Sequence, residues 1–540
     1  MKPVNNIAKS KRLHLRHVGT LASSFPRKTI PLIPSLHVLL VLLASFSIGR
    51  TAEPSPRDLD IILVNGRVMD PETGLDGIRN VGISGDTVIT ITDQSLDSRL
   101  HTNGTRIDST GLVVAPGFID LHAHGQTDAA IRYRVQDGVT TALELEWGYP
   151  EIREWLEAKK DRSRIHYGAS VSHGFNRAIV LAVMNDPDTT SDELMRAAKD
   201  MSEPLRVLQN LPFFIATRSS SLPDSETETL NKLMMRGLSE GGLGIGLAHA
   251  YYPGASYREI FRIFQFAAQN QAPIFVHVRE KGMGAMQEVI ANAAATGAPL
   301  HIVHANSMSG HELPEVLELI GDARSRGLDI TTETYPYTAG STNINAAIFD
   351  DDWQQRLRIT YGDLQWQDTG ERLTEESFHK YRKIGGTIIA HSMREPMIQL
   401  AVSTPFVIIA SDAMSYAPLA HPRSAGTFSR TLGRYVRDQG VLDLMRALRK
   451  MTLMPAQRLE NIAPMMRLKG RVQEGADADL VVFDPNTIID TATFEKGLKE
   501  SRGIQHVLVS GTQVVRHGEL VENEFAGRPI LGRYYQPPRK

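Results

Sequence analysis

Two histidines separated by one residue end an apolar run in Gly117-Phe-Ile-Asp120-Leu-His122-Ala-His124. On a β-strand, residues i and i+2 point to the same face, so the two imidazoles can converge on one metal ion. Two further apolar runs end the same way, Pro273-Ile-Phe-Val-His277 and Pro299-Leu-His301-Ile-Val-His304. A lone strand-end histidine more often serves packing than ligation, but three such ends in one chain point to a shared site. His301 alternates away from His304 and reads as structural. Phe406-Val-Ile-Ile-Ala-Ser-Asp412 ends in a carboxylate, which beside a metal-activated water can act as general base; the alternative is a helix-capping aspartate. Val139-Thr-Thr-Ala-Leu-Glu144-Leu-Glu146 sets two acids on one face of an otherwise apolar strand. Burying both unpaired would be costly, so a cation is expected there. Glu146, nearer the strand end, is preferred as the ligand over Glu144, and an arginine ion pair is the alternative. The chain has no cysteine, so any metal must be held by His, Asp or Glu.

The elements that would carry these residues alternate. Apolar runs at 139–145, 165–171, 243–247, 273–276, 300–303, 328–332 and 406–410 are separated by helix-like stretches such as 191–200, 225–238 and 257–270. That alternation predicts a (β/α)8 TIM-like barrel over about 115–466, with chemistry at the C-terminal ends of its strands. Residues 55–114 and 467–540 share another texture: short strands with an internal turn, as in DLDIILVNGRVMD and IQHVLVSGTQVV. Both chain ends are therefore expected to build one small β-sandwich domain, two unrelated hairpins being the alternative. The stretch 343–405 carries no metal motif and reads as a lid or insertion, with Trp353 and Trp366 on helical surface; His391 is a candidate support for the site. Residues 1–52 place basic positions before the apolar run 36–48 and small residues after it, as in a secretory signal peptide. Export to the periplasm or outside the cell is expected, a membrane anchor being the alternative. With 540 residues and a net charge of -2, nothing favours nucleic acid, and a small-molecule substrate is the expected partner.

From about Asp58 to the C-terminus the chain resembles the amidohydrolase superfamily, specifically its N-acyl-D-amino-acid deacylase (D-aminoacylase) group. The resemblance rests on PGFIDLHAH, DGVTT, HVRE, HANS, TYPYTAGST, IIASDA and HPRSAGTFSRTLGRYVRDQG, followed by GADADLVVFDP and GRPILGRYY. It implies hydrolysis of the amide bond of N-acyl-D-amino acids, N-acyl-D-glutamate among them, with one or two Zn2+ ions. His122, His124, His277 and His304 would be ligands, and Asp412 a general base that also touches the metal. Arg423 and Tyr337 would hold the substrate carboxylate, and Tyr251 would polarise the scissile carbonyl. The chain departs from the group twice. Glu146-Trp147-Gly148 stands where the group carries Asn-Cys-Gly, leaving Glu146 to bridge metal, and Asn306 stands where a lysine helps to bind the carboxylate. The rivals are a dihydroorotase, hydantoinase or isoaspartyl dipeptidase, against which His-Pro-Arg and Tyr-Pro-Tyr argue, and a non-enzymatic scaffold.

Overall fold

Eight short apolar segments pair side by side into one parallel sheet. They are β6 (Phe118–Asp120), β7 (Val139–Tyr149), β8 (His166–Ser172), β9 (Ile245–Ala248), β10 (Ile274–His277), β11 (Leu300–Ile302), β12 (Ile330–Thr334) and β16 (Val407–Ile409). The order β16-β12-β11-β10-β9-β8-β7-β6 follows the chain, and a parallel bridge between Ala123 and Ala413 closes the circle. The computed structural model describes residues 58–186, 188, 190, 193–194 and 212–538. The expected signal at 1–52 and most of the helix-like stretch 191–200 lie outside the described residues.

Strands such as β10 are buried on both faces, which is why they read as continuous apolar runs rather than alternating ones. The helices between them are amphipathic. In Tyr257–Gln269, Ile260, Ile263, Phe264 and Ala267 form the buried stripe. Ser256 starts that helix by accepting a hydrogen bond from the Glu259 N–H at 3.1 Å.

Both chain ends meet in a single nine-stranded sheet. β1 (Leu59–Asp70), β2 (Leu75–Ser84), β3 (Thr87–Thr92), β4 (Leu100–Asp108) and β5 (Val113–Pro116) come from the start. β17 (Leu480–Phe483), β18 (Ile504–Val509), β19 (Thr512–Arg516) and β20 (Glu519–Leu520) come from the end. β17 pairs with β5, so the last strands before and the first after the barrel are neighbours. The expected sandwich is one sheet that curls, Thr87 of β3 bridging Asp477 just ahead of β17. Leu63, Val81, Ile83, Leu480 and Leu508 fill the curl.

Between β12 and β16 the chain inserts a small antiparallel sheet, ordered β13 (Gly340–Asn343), β15 (Thr387–Ala390), β14 (Leu364–Trp366). The insertion has its own apolar cluster, and this corrects the expectation of helical surface for its tryptophans. Trp353 and Trp366 are buried, at 6% and 5% exposure. Trp366 lies on a strand, its ring stacked on Tyr381 with centroids 4.0 Å apart, and Trp353 packs against Phe349 and Phe378.

Candidate metal centre

The barrel mouth gathers five histidine and acid clusters' worth of sequence into one point. Glu146 is its middle: Oε2 lies 3.3 Å from His122 Nε2 and 3.1 Å from His124 Nε2. Its other oxygen, Oε1, lies 2.5 Å from His277 Nδ1 and 3.1 Å from His304 Nε2. Asp412 Oδ1 completes the group, 3.4 Å from His122 Nε2 and 3.2 Å from His124 Nε2. All six side chains are buried or nearly so.

Two of these residues sit on unusual backbone. His304 has φ 33° and Asp412 φ 51°, the left-handed region that non-glycine residues occupy only at a cost. Both follow the ends of their strands, and the turn aims both side chains at the cluster. It also changes the expected alternation at β11. His301 does not face away from the site but reaches Glu333 Oε2 at 2.9 Å through Nε2, and it contacts Thr331 Oγ1 at 2.7 Å through Nδ1. Its reading as a structural histidine stands.

Acids behind His122 and His124 fix those two rings. Glu333, on β12, approaches His122 Nδ1 to 2.5 Å. Glu144 Oε2 lies 2.9 Å from His124 Nδ1, and Glu144 Oε1 accepts the Trp147 N–H at 3.2 Å. The two acids of β7 thus separate: Glu144 orients a histidine from behind, and Glu146 enters the cluster. Asp120 accepts from the backbone N–H groups of His122, at 3.2 Å, and Ser411, at 2.9 Å, and from the Ser411 hydroxyl. It thereby ties the end of β6 to the end of β16. The sequence reading missed Glu333 and Asp120; the signal was a carboxylate inside a short buried strand in each case.

The electrostatics call for a cation. Burial alone would deprotonate His122 and His124, but the charges of Asp412, Glu333 and Glu146 around the first, and Glu144 and Asp412 around the second, hold both well above the usual range. Burial pushes Glu146 up, yet His277 and His122 prevail and hold it well below. Ligands about 2 Å from a tetrahedral zinc stand roughly 3.3 Å apart, close to the separations seen here. Among the described residues, three triads have candidate ligand atoms mutually within 4.8 Å: His122–His124–Glu146, His122–His304–Asp412 and Glu146–His277–His304. The residues therefore fit a metal ion.

Around the cluster opens a cavity of about 710 Å3 including its mouth. Its polar wall carries His124, Glu146, Asp412, Arg423, Tyr251 and Tyr335, and the insertion supplies an apolar wall of Ile348, Phe349, Leu357 and Ile359. Arg423 Nη1 lies 2.9 Å from Asp412 Oδ2, and its guanidinium stacks 4.6 Å above the Tyr335 ring. Tyr251 Oη is 2.9 Å from Thr342 Oγ1. Burial and the nearby Glu146 carboxylate raise its pKa, so it stays a protonated donor.

Two expected residues sit elsewhere. Tyr337 is not in the cavity: its hydroxyl donates to Asp490 Oδ2 at 3.1 Å, and this corrects its assignment to the substrate carboxylate. β12 ends at Thr334 and the chain turns, so Tyr335 takes the place in the cavity. His391 contacts Gln365 Oε1 at 2.9 Å and does not reach the cluster. Asn306 is buried too, donating to the Tyr335 carbonyl at 3.1 Å.

Comparison with known proteins agrees with this arrangement. An amidohydrolase family model matches residues 105–515. A D-aminoacylase of Alcaligenes xylosoxydans xylosoxydans is 27% identical over 89% of this chain and 99% of its own length. An N-acyl-D-glutamate deacylase of the same organism is 29% identical over 88% of this chain and 99% of its own. A solved D-aminoacylase, in which a binuclear centre has one activating and one attenuating metal, superposes with a TM-score of 0.70. It is 25% identical and covers 88% of this chain and 100% of its own. A barrel mouth lined with histidines and carboxylates, inside a family match that spans most of the chain, makes this protein a member of the amidohydrolase family, a hydrolase of amide bonds.

Proposed function

We propose that the enzyme removes the acyl group from N-acyl-D-amino acids, with zinc held by His122, His124, Glu146, His277, His304 and Asp412. The observation that carries this reading is Glu146, one oxygen toward each histidine pair, in the same cavity as the Asp412–Arg423 pair. A carboxylate so placed suits one ion or two. The relatives named as D-aminoacylase and N-acyl-D-glutamate deacylase support the substrate class.

Zinc bound there would supply a water acidified toward neutrality and a Lewis acid for the carbonyl. The remaining work falls to side chains of this chain. Asp412 takes the proton of the attacking water and delivers it to the departing nitrogen. Burial would raise the Asp412 pKa, but Arg423 and His122 outweigh it and hold the carboxylate ionised, as a base must be. Tyr251 donates a hydrogen bond to the carbonyl oxygen as negative charge develops on it. Arg423 retains donors beyond the one facing Asp412, enough to orient the carboxylate next to the scissile nitrogen.

The test is amine release from a panel of N-acetyl D- and L-amino acids, hydantoins and dipeptides. The expected result is D-selective release from the N-acetyl compounds, with Asp412→Asn at least about a hundredfold slower. Turnover of hydantoins or dipeptides in place of N-acyl amino acids would overturn the deacylase reading.

A further inference from the structure

The cavity holds a second cation that the chemistry above leaves unused. Lys281, on the turn that follows β10, lines it together with Ser307, Tyr335 and Ser392. Its Nζ lies 3.5 Å from Ser392 Oγ. Among the described residues no carboxylate stands within ion-pair distance of it, and burial, with no charge opposing it, lowers its pKa to about 8. Lys281 is half-buried, and a partly desolvated ammonium facing the cavity without a counterion is favourably placed to take an anionic group of a ligand. Arg423 differs: it touches the proposed base directly, so it stands where the carboxylate adjoining the scissile nitrogen must lie. Lys281 makes no hydrogen bond or ion pair to the cluster, so it faces a part of the substrate farther from the reacting bond.

Resting on the deacylase reading, we propose that Lys281, with Ser392 of the insertion, is a subsite for a second carboxylate, so that the preferred substrates carry two. The additional carboxylate belongs either to the amino-acid side chain or to the acyl group, and the same chemistry would recognise both. Glu146 and Asp412 are engaged with histidines and Arg423. Ser392 follows β15, so the insertion that forms the apolar wall also sets the position of the ammonium.

The experiment compares kcat/KM for N-acetyl-D-glutamate against N-acetyl-D-glutamine, and for N-succinyl-D-methionine against N-acetyl-D-methionine, in the zinc-loaded enzyme and in Lys281→Met and Lys281→Arg. The expected result is a preference of about tenfold or more for one dicarboxylate over its uncharged counterpart, expressed in KM. Which pair shows it identifies the source of the carboxylate. Lys281→Met should bring that ratio close to one, and Lys281→Arg should retain most of it. No preference in the wild type, or a ratio unchanged in Lys281→Met, overturns the proposal while leaving the deacylase reading intact. If Lys281→Met fails to fold, Lys281→Gln takes its place, and an undiminished ratio in it and in Ser392→Ala would overturn the proposal too. No amine from any of the four compounds would instead overturn the deacylase reading.

Discussion

At the scale of residues, two of the four imidazoles are held from behind by an acid, His122 by Glu333 and His124 by Glu144. His122 shows it best: its Nε2 faces the cluster while its Nδ1 meets Glu333, which also meets His301. Such backing fixes ring orientation and raises ligand basicity, and its loss typically costs 10–100-fold in metal affinity, as an order of magnitude. Glu333→Gln should therefore weaken zinc binding by about tenfold or more with little change in melting temperature, measured by competition with a chromogenic chelator. Unchanged affinity would show that Glu333 only fills space. The four histidines of the cluster and Asp412 were legible in the sequence because each ends an apolar run. Glu333 was not, since the polar run Thr331-Thr332-Glu333-Thr334 hides it. Tyr337 misled because its role came from the resemblance alone: the chain turns beyond the end of β12 at Thr334, and Tyr335 rather than Tyr337 lines the cavity.

At the scale of elements, β7 is the strand on which most depends. It is buried along its whole length and carries Glu144, Glu146 and Trp147. Gly148 follows with φ +66°, and a Cβ there would fall 2.3 Å from the Ser170 carbonyl oxygen of β8. Only glycine accepts both the conformation and the approach. Gly148→Ala should thus destabilise the protein by more than ~1 kcal/mol, and should displace Glu146 enough to weaken zinc binding. Thermal melts with and without zinc would check this, and a variant matching the wild type in both would contradict it. The barrel strands were readable as buried apolar runs. The stretch 343–405 was readable as an insertion, but its inner structure was not: its three strands are short and its core aromatic, and the charges around Trp353 and Trp366 imitate an exposed helix.

At the scale of the molecule, a buried ionic knot joins barrel and sheet. Asp479, just before β17, lies 2.9 Å from His166 Nε2 of β8 and 2.6 Å from Lys469 Nζ, and it accepts the Ser510 N–H at 2.8 Å. Burial opposes its ionisation, but His166 and Lys469 prevail and hold its pKa far below the ordinary 3.8. A carboxylate with a depressed folded-state pKa contributes stability that is present above the unfolded value and lost as pH falls through the folded one. Stability should therefore begin to fall below about pH 4, and Asp479→Asn should cost about 3 kcal/mol near neutrality, with a shallower acid loss. A pH series of melts in which wild type and variant lose stability in parallel would remove Asp479 from the account. The joining of the two chain ends was legible from their shared strand–turn–strand texture; this knot was not, because its members lie far apart in the chain.

The central claim, that a Glu146-centred metal site drives deacylation, meets its most direct test in one titration. The enzyme is stripped with a chelator, zinc is added back in measured equivalents, and amine release from an N-acyl-D-amino acid is followed in wild type and Glu146→Ala. The account predicts negligible activity without metal, recovery within the first two equivalents in the wild type, and no recovery at those ratios in Glu146→Ala. Full activity in the stripped enzyme, or equal recovery in the variant, would contradict it.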